Sequence, residues 1–168
     1  EFIKCIATSK KLYLKAIYTK RMEEDFISHS INVAIASIKI GEGMKYEMEK
    51  MIHLTTTAFV HDIGMTMIPF HVIHSDRTLT DEEFAEIKKH PMFGKELLLK
   101  VTKKYYWLPL AVSQEHERVS GGGYPLGLKG DNIHEYARII GLMDDYEALT
   151  HERKRRRRYL PYDAIKII

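Results

Sequence analysis

A single cysteine, Cys5, stands in the 168 residues, so no internal disulfide can form and nothing points to an oxidising compartment. No apolar run approaches the roughly 18–20 residues that a membrane span requires. Lys10, Lys11 and Lys15 break up the start of the chain, which lacks a signal-peptide pattern. Excess charge is scarce too. A formal net charge of +3 gives little reason to expect a stable nucleic-acid complex. That small surplus is local: Arg153, Lys154, Arg155, Arg156, Arg157 and Arg158 form one basic run, and +3 less these six leaves −3. Internal repeats are absent, as is any low-complexity segment apart from this run. No alternating apolar pattern marks a β-strand.

What is present is ordinary for a folded domain: 45% hydrophobic and 29% charged residues. The length suits one compact domain with a real core. Residues 1–20 read as a lead-in helix or linker, and 21–168 as the domain proper. The segment Tyr162–Ile168 reads as the start of a helix that stops short, as expected of a piece of a longer chain carrying a fused sensor domain.

The expected class is all-α, a single helical bundle with a glycine-rich loop. From about Arg21 to Ile40 two apolar stripes recur at helical spacing: Met22, Phe26, Val33, Ala36 and Ile40, then Ile27, Ile31, Ala34 and Ile38. A helix apolar on two sides belongs in the middle of a bundle. Met48, Met51, Ile52, Thr55, Ala58 and Phe59 carry a second helix to about Asp62. Gly64 and Pro69 interrupt Ile63–Leu79, which reads as a loop. Thr80 and Glu83 form a capping box that opens a helix to about Lys89. Pro91 suits the first turn of the next, which runs towards Lys103. A further helix is expected over roughly Tyr106–Glu117, then a loop over Gly121–Gly130. Asn132, with Glu135 three residues on, opens a helix reaching Leu149.

Several polar residues fall on apolar faces. His29 lies within the first stripe; His61 shares a face with Leu54 and Ala58; Asp62 shares one with Met51, Thr55 and Ala58. Asp144 follows Ala137, Ile140 and Gly141. A lone histidine on such a face is ordinarily a hydrogen-bonded core residue. Several from different helices, with two carboxylates that burial would penalise unless paired or metal-bound, point to a metal site. The candidate cluster is His29, His61, Asp62, His90, His116 and Asp144. Imidazole and carboxylate suit Mn, Fe, Zn or Ni, and the lack of thiolate argues against a structural zinc site. Adjacent His61 and Asp62 make sense if Asp62 bridges two ions, one oxygen to each, with a shared hydroxide as nucleophile.

The motifs then become specific. His61-Asp62-Ile63-Gly64, His90-Pro91-Met92-Phe93-Gly94, HERVSGGGYPLGLKG from His116 to Gly130, and ARIIGLMDDYEALTHER from Ala137 to Arg153 resemble the HD-GYP family in order and spacing. Gly123-Tyr124-Pro125 supplies the second half of that name. The resemblance runs from about Asp25 to Arg156. It implies a cytoplasmic, bacterial, metal-dependent phosphodiesterase that hydrolyses a cyclic dinucleotide, cyclic di-GMP above all, with His61 and Asp62 at the catalytic centre. Two or three divalent ions, iron or manganese, are implied as cofactors. His29, His61, Asp62 and Asp144 would hold the first. Asp62, His90 and the pair Glu115-His116 would hold the second. Asp25, four residues before His29, would serve a third or is a solvated first-turn acid. Arg153 and Arg156 would contact phosphate, and the rest of the basic run is a solvated face. Tyr124, between Gly123 and Pro125, would lie near substrate, or the three form only a tight turn. GGDEF-type or other signalling proteins are the implied partners of this loop.

Four positions depart from the family's pattern. Met65 replaces the lysine of HDxGK, and Glu115 replaces the first histidine of HHE. Ser120 replaces the aspartate of DGxGYP, and Glu147 that of YDAL. Glu115 would shift the preference towards harder ions such as Mn or Mg. These departures leave a second reading open: a degenerate module that binds nucleotide or a partner protein without useful turnover.

Overall fold

The structure is a computed structural model that describes residues 26–151 and 158–168. The expectations for residues 1–20, Met22, Asp25, Arg153, Arg156 and Arg157 lie outside the described residues. Among the described residues every regular element is helical, as expected, and no helix is long and apolar enough to cross a membrane. The chain divides into two compact units. One comprises the described residues up to Phe59 with Ile139–Ile168, the other Val60–Arg138.

In the first unit, α1 (Phe26–Gly43) and α2 (Met48–Val60) form a hairpin. Val33, Ala34, Ala36 and Ile38 are buried on α1, and Met51, Leu54 and Ala58 on α2. Gly41 lets the two helices meet: a Cβ there would lie 2.9 Å from the Met51 sulfur and 3.3 Å from Leu54 Cδ2. The second stripe of α1 is only half realised. Ile27 and Ile31 are exposed, as are Met48, Ile52 and Phe59 on α2. Burial here follows one face of each helix, so α1 does not occupy the middle of a bundle at its N-terminal end. Helix α7 (Glu135–Thr150) joins this unit from Ile139 onwards. The Tyr159 amide donates to Leu149 O at 2.9 Å, and α8 (Pro161–Ile167) follows, anchored by fully buried Ala164.

The second unit is shorter-limbed. The expected loop after Asp62 instead contains a 3₁₀ turn (Ile63–Met67) and one turn of α3 (Phe70–Ile73). Gly64 and Pro69 punctuate these pieces without abolishing them, since 3₁₀ structure needs only three or four residues. The capping box forms as expected. Thr80 Oγ1 accepts from the Glu83 amide at 3.3 Å, and the Thr80 amide donates to Glu83 Oε2 at 2.9 Å. It opens α4 (Asp81–Ile87), and Pro91 sits in the first turn of α5 (His90–Val101). Helix α6 (Trp107–Val112) ends five residues before the expected Glu117. Leu98, Leu108 and Val112 form a core between α5 and α6, edged by Val60 and Trp107. Asn132 does not open α7 but lies in a 3₁₀ turn (Gly130–Asn132). His134 does that work, its Nδ1 accepting from the Tyr136 amide at 3.1 Å. Burial lowers the pKa of His134, which keeps the ring in the neutral form able to accept, although Glu135 opposes the shift.

Two glycines bring the 3₁₀ turn onto α5. A Cβ at Gly64 would lie 1.9 Å from His90 O and 2.5 Å from Gly94 N, and one at Gly94 2.9 Å from Val112 Cγ1. The obstruction at Gly64 is backbone and cannot swing aside. Gly64→Ala is therefore expected to cost about 1–3 kcal/mol or more by overpacking, read as a lower urea midpoint. An unchanged midpoint would mean that this contact is looser than described.

Candidate metal centre

The close seat of Gly64 sets Asp62 opposite the start of α5. Asp62 is the N-cap of the 3₁₀ turn yet makes no side-chain capping bond. Its two oxygens face different rings: Oδ2 lies 3.5 Å from His61 Nε2 and Oδ1 3.3 Å from His90 Nε2. His61, directly after α2, is 1% exposed.

His90 is the pivot. Its Nδ1 lies 2.7 Å from Ile87 O, a pure acceptor, so Nδ1 carries a hydrogen and Nε2 presents its lone pair in the neutral ring. That Nε2 is 3.2 Å from Glu115 Oε1 and 3.1 Å from His116 Nε2. Donor atoms of Asp62, His90, Glu115 and His116 all lie within 4.8 Å of one another. Two carboxylates and two imidazoles converging in this way repel unless a proton or a cation sits among them. A divalent ion fits this donor set. Glu115, the departure from the family's histidine, lies inside the cluster and is 1% exposed.

The glycine-rich loop supports His116 from behind. Tyr124 stacks on the His116 ring with centroids 4.7 Å apart, and its amide donates to His116 O at 3.2 Å. Gly123 permits this approach: a Cβ would lie 2.5 Å from Arg118 N and 2.6 Å from His116 O. The close backbone contact is thus with the chain itself. The Tyr124–Pro125 peptide is cis. Glu117, which sequence reasoning gave no role, is buried and pins the loop. Its carboxylate accepts from the Leu126 amide at 2.6 Å and the Leu128 amide at 2.8 Å.

In the first unit, His29 on α1 meets α7. Its Nε2 lies 3.2 Å from Asp144 Oδ1, and its Nδ1 2.8 Å from Glu147 Oε2. The sequence expectation of two buried carboxylates needs correction. Asp62 and Asp144 are half-buried at 19% and 17% side-chain exposure, whereas Glu115, Glu117 and Glu147 are buried. Asp62 and Asp144 keep partial exposure, whereas Glu117 and Glu147 orient a loop and a ring from inside the protein, and Glu115 joins the donor cluster although buried. Glu147 appeared in the sequence only as a departure. Its spacing of three from Asp144 along one helix was the signal that could have found it.

Burial, the largest single influence, lowers the His29 pKa. The hydrogen bonds and negative charges of Asp144 and Glu147 together outweigh it and raise the value from 6.5 to about 10. A raised folded-state value gives stability that is complete below the unfolded value and lost as pH climbs through the folded one. Chelator-treated protein should therefore lose thermal stability between about pH 6.5 and 10, and His29→Gln should flatten that slope. A wild-type slope that the substitution leaves intact would contradict the assignment.

The HD domain family matches residues 14–168. The cyclic di-GMP phosphodiesterase PA4108 of Pseudomonas aeruginosa is 27% identical over 153 residues, covering 91% of this chain and 37% of that protein. The cyclic di-GMP phosphodiesterase PdeB of Borreliella burgdorferi is 32% identical over 123 residues, covering 73% and 32% respectively. The 3'3'-cGAMP-specific phosphodiesterase 1 of Vibrio cholerae is 35% identical over 111 residues, covering 66% and 25%. The chain thus spans about a third of the length of the curated relatives it matches. Bd1817, a HDG"Y"P protein from Bdellovibrio bacteriovorus, shares the fold with a TM-score of 0.75 at 20% identity, over 88% of this chain and 48% of that one. With a family match over nearly its whole length and the HD-GYP order of motifs along it, this chain belongs to the HD domain family.

Proposed function

We propose that this domain hydrolyses a phosphodiester bond of a cyclic dinucleotide, cyclic di-GMP in the first instance. The observation that carries the reading is the convergence of Asp62, His90, Glu115 and His116 on one point. The names of the relatives supply the substrate class: cyclic di-GMP for two of those described and 3'3'-cGAMP for the third.

Divalent ions bound here would supply Lewis acidity towards a phosphoryl oxygen and a nucleophilic water at neutral pH. His29, His61, Asp62 and Asp144 are proposed to hold one ion, on the strength of motif order. Asp62, His90, Glu115 and His116 are proposed to hold the other. Manganese or iron is the proposed occupant, and Glu115 in place of a neutral nitrogen favours the harder manganese. The protein's own part is to orient these donors. Ile87 O fixes the tautomer of His90, and Tyr124 fixes the plane of His116. Gly123, Tyr124 and Pro125 border the cluster and are proposed to border the substrate; Arg153 and Arg156 are proposed phosphate contacts. Val119 and Leu126 expose apolar surface on the same loop, which suits a GGDEF-type signalling partner in the cytoplasm.

The test is hydrolysis of cyclic di-GMP by manganese-loaded protein, followed by chromatography of the products. Activity should vanish with chelator and return with manganese. Asp62→Ala should lower bound manganese and abolish turnover while the helical circular dichroism stays unchanged. Full metal content with unchanged activity in that variant would sink the reading.

Met65 follows Gly64 in the 3₁₀ turn, three residues from Asp62, where the family's pattern has a cation. A preorganised donor at a developing negative charge is worth roughly 2.7–4 kcal/mol. Met65→Lys realising half of that would raise turnover about tenfold. Glu115→His belongs in the same series, alone and combined, because neighbouring site residues couple. Binding of cyclic di-GMP without hydrolysis in wild type, both variants and the double variant would establish the non-catalytic module instead.

A further inference from the structure

We propose that Glu147, backed by Asn32 and His151, is a positioning residue that holds the His29 ring with Nε2 presented as a metal donor. The inference rests on the metal-binding reading above.

The argument is one of hydrogen-bond direction. Glu147 is 2% exposed, and its Oε2 lies 2.8 Å from His29 Nδ1. An ionised carboxylate only accepts, so Nδ1 carries the hydrogen. The atom left for a cation is Nε2, on the side of Asp144. A buried carboxylate also needs its other oxygen satisfied, and Asn32 Nδ2 donates to Oε1 at 3.4 Å. His151 closes the circuit. Its Nδ1 lies 3.0 Å from Glu147 O, so Nδ1 donates there and Nε2 accepts. That Nε2 is 3.4 Å from Asn32 Nδ2, whose second hydrogen it takes. One assignment of hydrogens satisfies the contacts among Asn32, Glu147, His151 and His29 Nδ1: Asn32 gives both amide hydrogens, Glu147 accepts on both oxygens, and His29 has a hydrogen on Nδ1.

The family's aspartate at this position is one methylene shorter. The longer Glu147 side chain is tethered by Asn32, which is itself held by the buried His151. The departure from pattern thus comes with the means of fixing it. Histidine ligands depend on such partners for ring orientation and basicity, and losing one typically costs 10–100-fold in metal affinity.

Glu147→Gln is isosteric but replaces one acceptor oxygen with an NH₂ donor. Either His29 Nδ1–H or Asn32 Nδ2–H then faces another donor. Manganese titration into chelator-treated protein by calorimetry should show affinity lowered about 10–100-fold. Melting with chelator and with saturating manganese separates positioning from mere support. The manganese-induced rise in melting temperature should shrink in Glu147→Gln. Equal falls in both melting temperatures, with affinity and the rise intact, would overturn the proposal. Should Glu147→Gln not fold, Asn32→Ala removes one half-buried tether and should still lower manganese affinity several-fold; unchanged affinity there would count equally against it. Wild-type protein that binds no manganese would overturn the metal reading itself, and this inference with it.

Discussion

Four groups that accept or share lone pairs, brought within bonding distance of one point, set the terms for the second unit. Asp62, His90, Glu115 and His116 come from a 3₁₀ turn, the first residue of α5 and the turn after α6. Such a gathering is unfavourable by itself, because burial removes the water that would separate the charges. It persists because the surrounding backbone leaves no alternative. Gly64 and Gly94 bring the turn and α5 to contact, and Gly123 and Glu117 close the loop behind His116. A bound cation would offset the electrostatic cost, and the steric framework holds the donors ready for one.

The helical class was legible because long periodic segments announce themselves, as α1 and α2 do. The capping box at Thr80 and Glu83 was legible because it is entirely local. Less legible were features set by tertiary contact. The 3₁₀ turn at Ile63–Met67 exists because Gly64 must seat on α5, which no periodicity records. The early end of α6 and the use of His134 rather than Asn132 to open α7 have the same origin: both lie where Gln114 Oε1 accepts from the His134 amide at 2.7 Å. Local signals permitted several boundaries, and that long-range bond chose one.

The site residues were legible by type and by motif, and their division of labour was not. Asp62 and Asp144 looked like the buried acids because they sit on apolar faces. The acids taken out of water are Glu115, Glu117 and Glu147. A carboxylate that orients a ring or a loop, as Glu147 and Glu117 do, performs best in low dielectric, where a hydrogen bond is stronger, while Glu115 is buried within the donor cluster itself. Glu117 and Glu147 therefore shape the site from inside the protein. Sequence pattern alone does not distinguish these duties, because both kinds of acid keep the same spacing.

Gly64 and Met65 are neighbours under unequal constraint. At Gly64 even a methyl group collides with backbone, so the position is closed to every other residue. Met65 enters the described architecture through its main chain: its amide donates to Asp62 O and its carbonyl accepts from the Ile68 amide. Any side chain tolerated by a short helical turn would leave those two bonds in place. The residue that seats the turn on α5 and the residue at which the family's pattern has a lysine are thus adjacent letters with independent tolerances. Under the proposed activity, a lineage could retune turnover, or surrender it, at the second letter without disturbing what the first holds together.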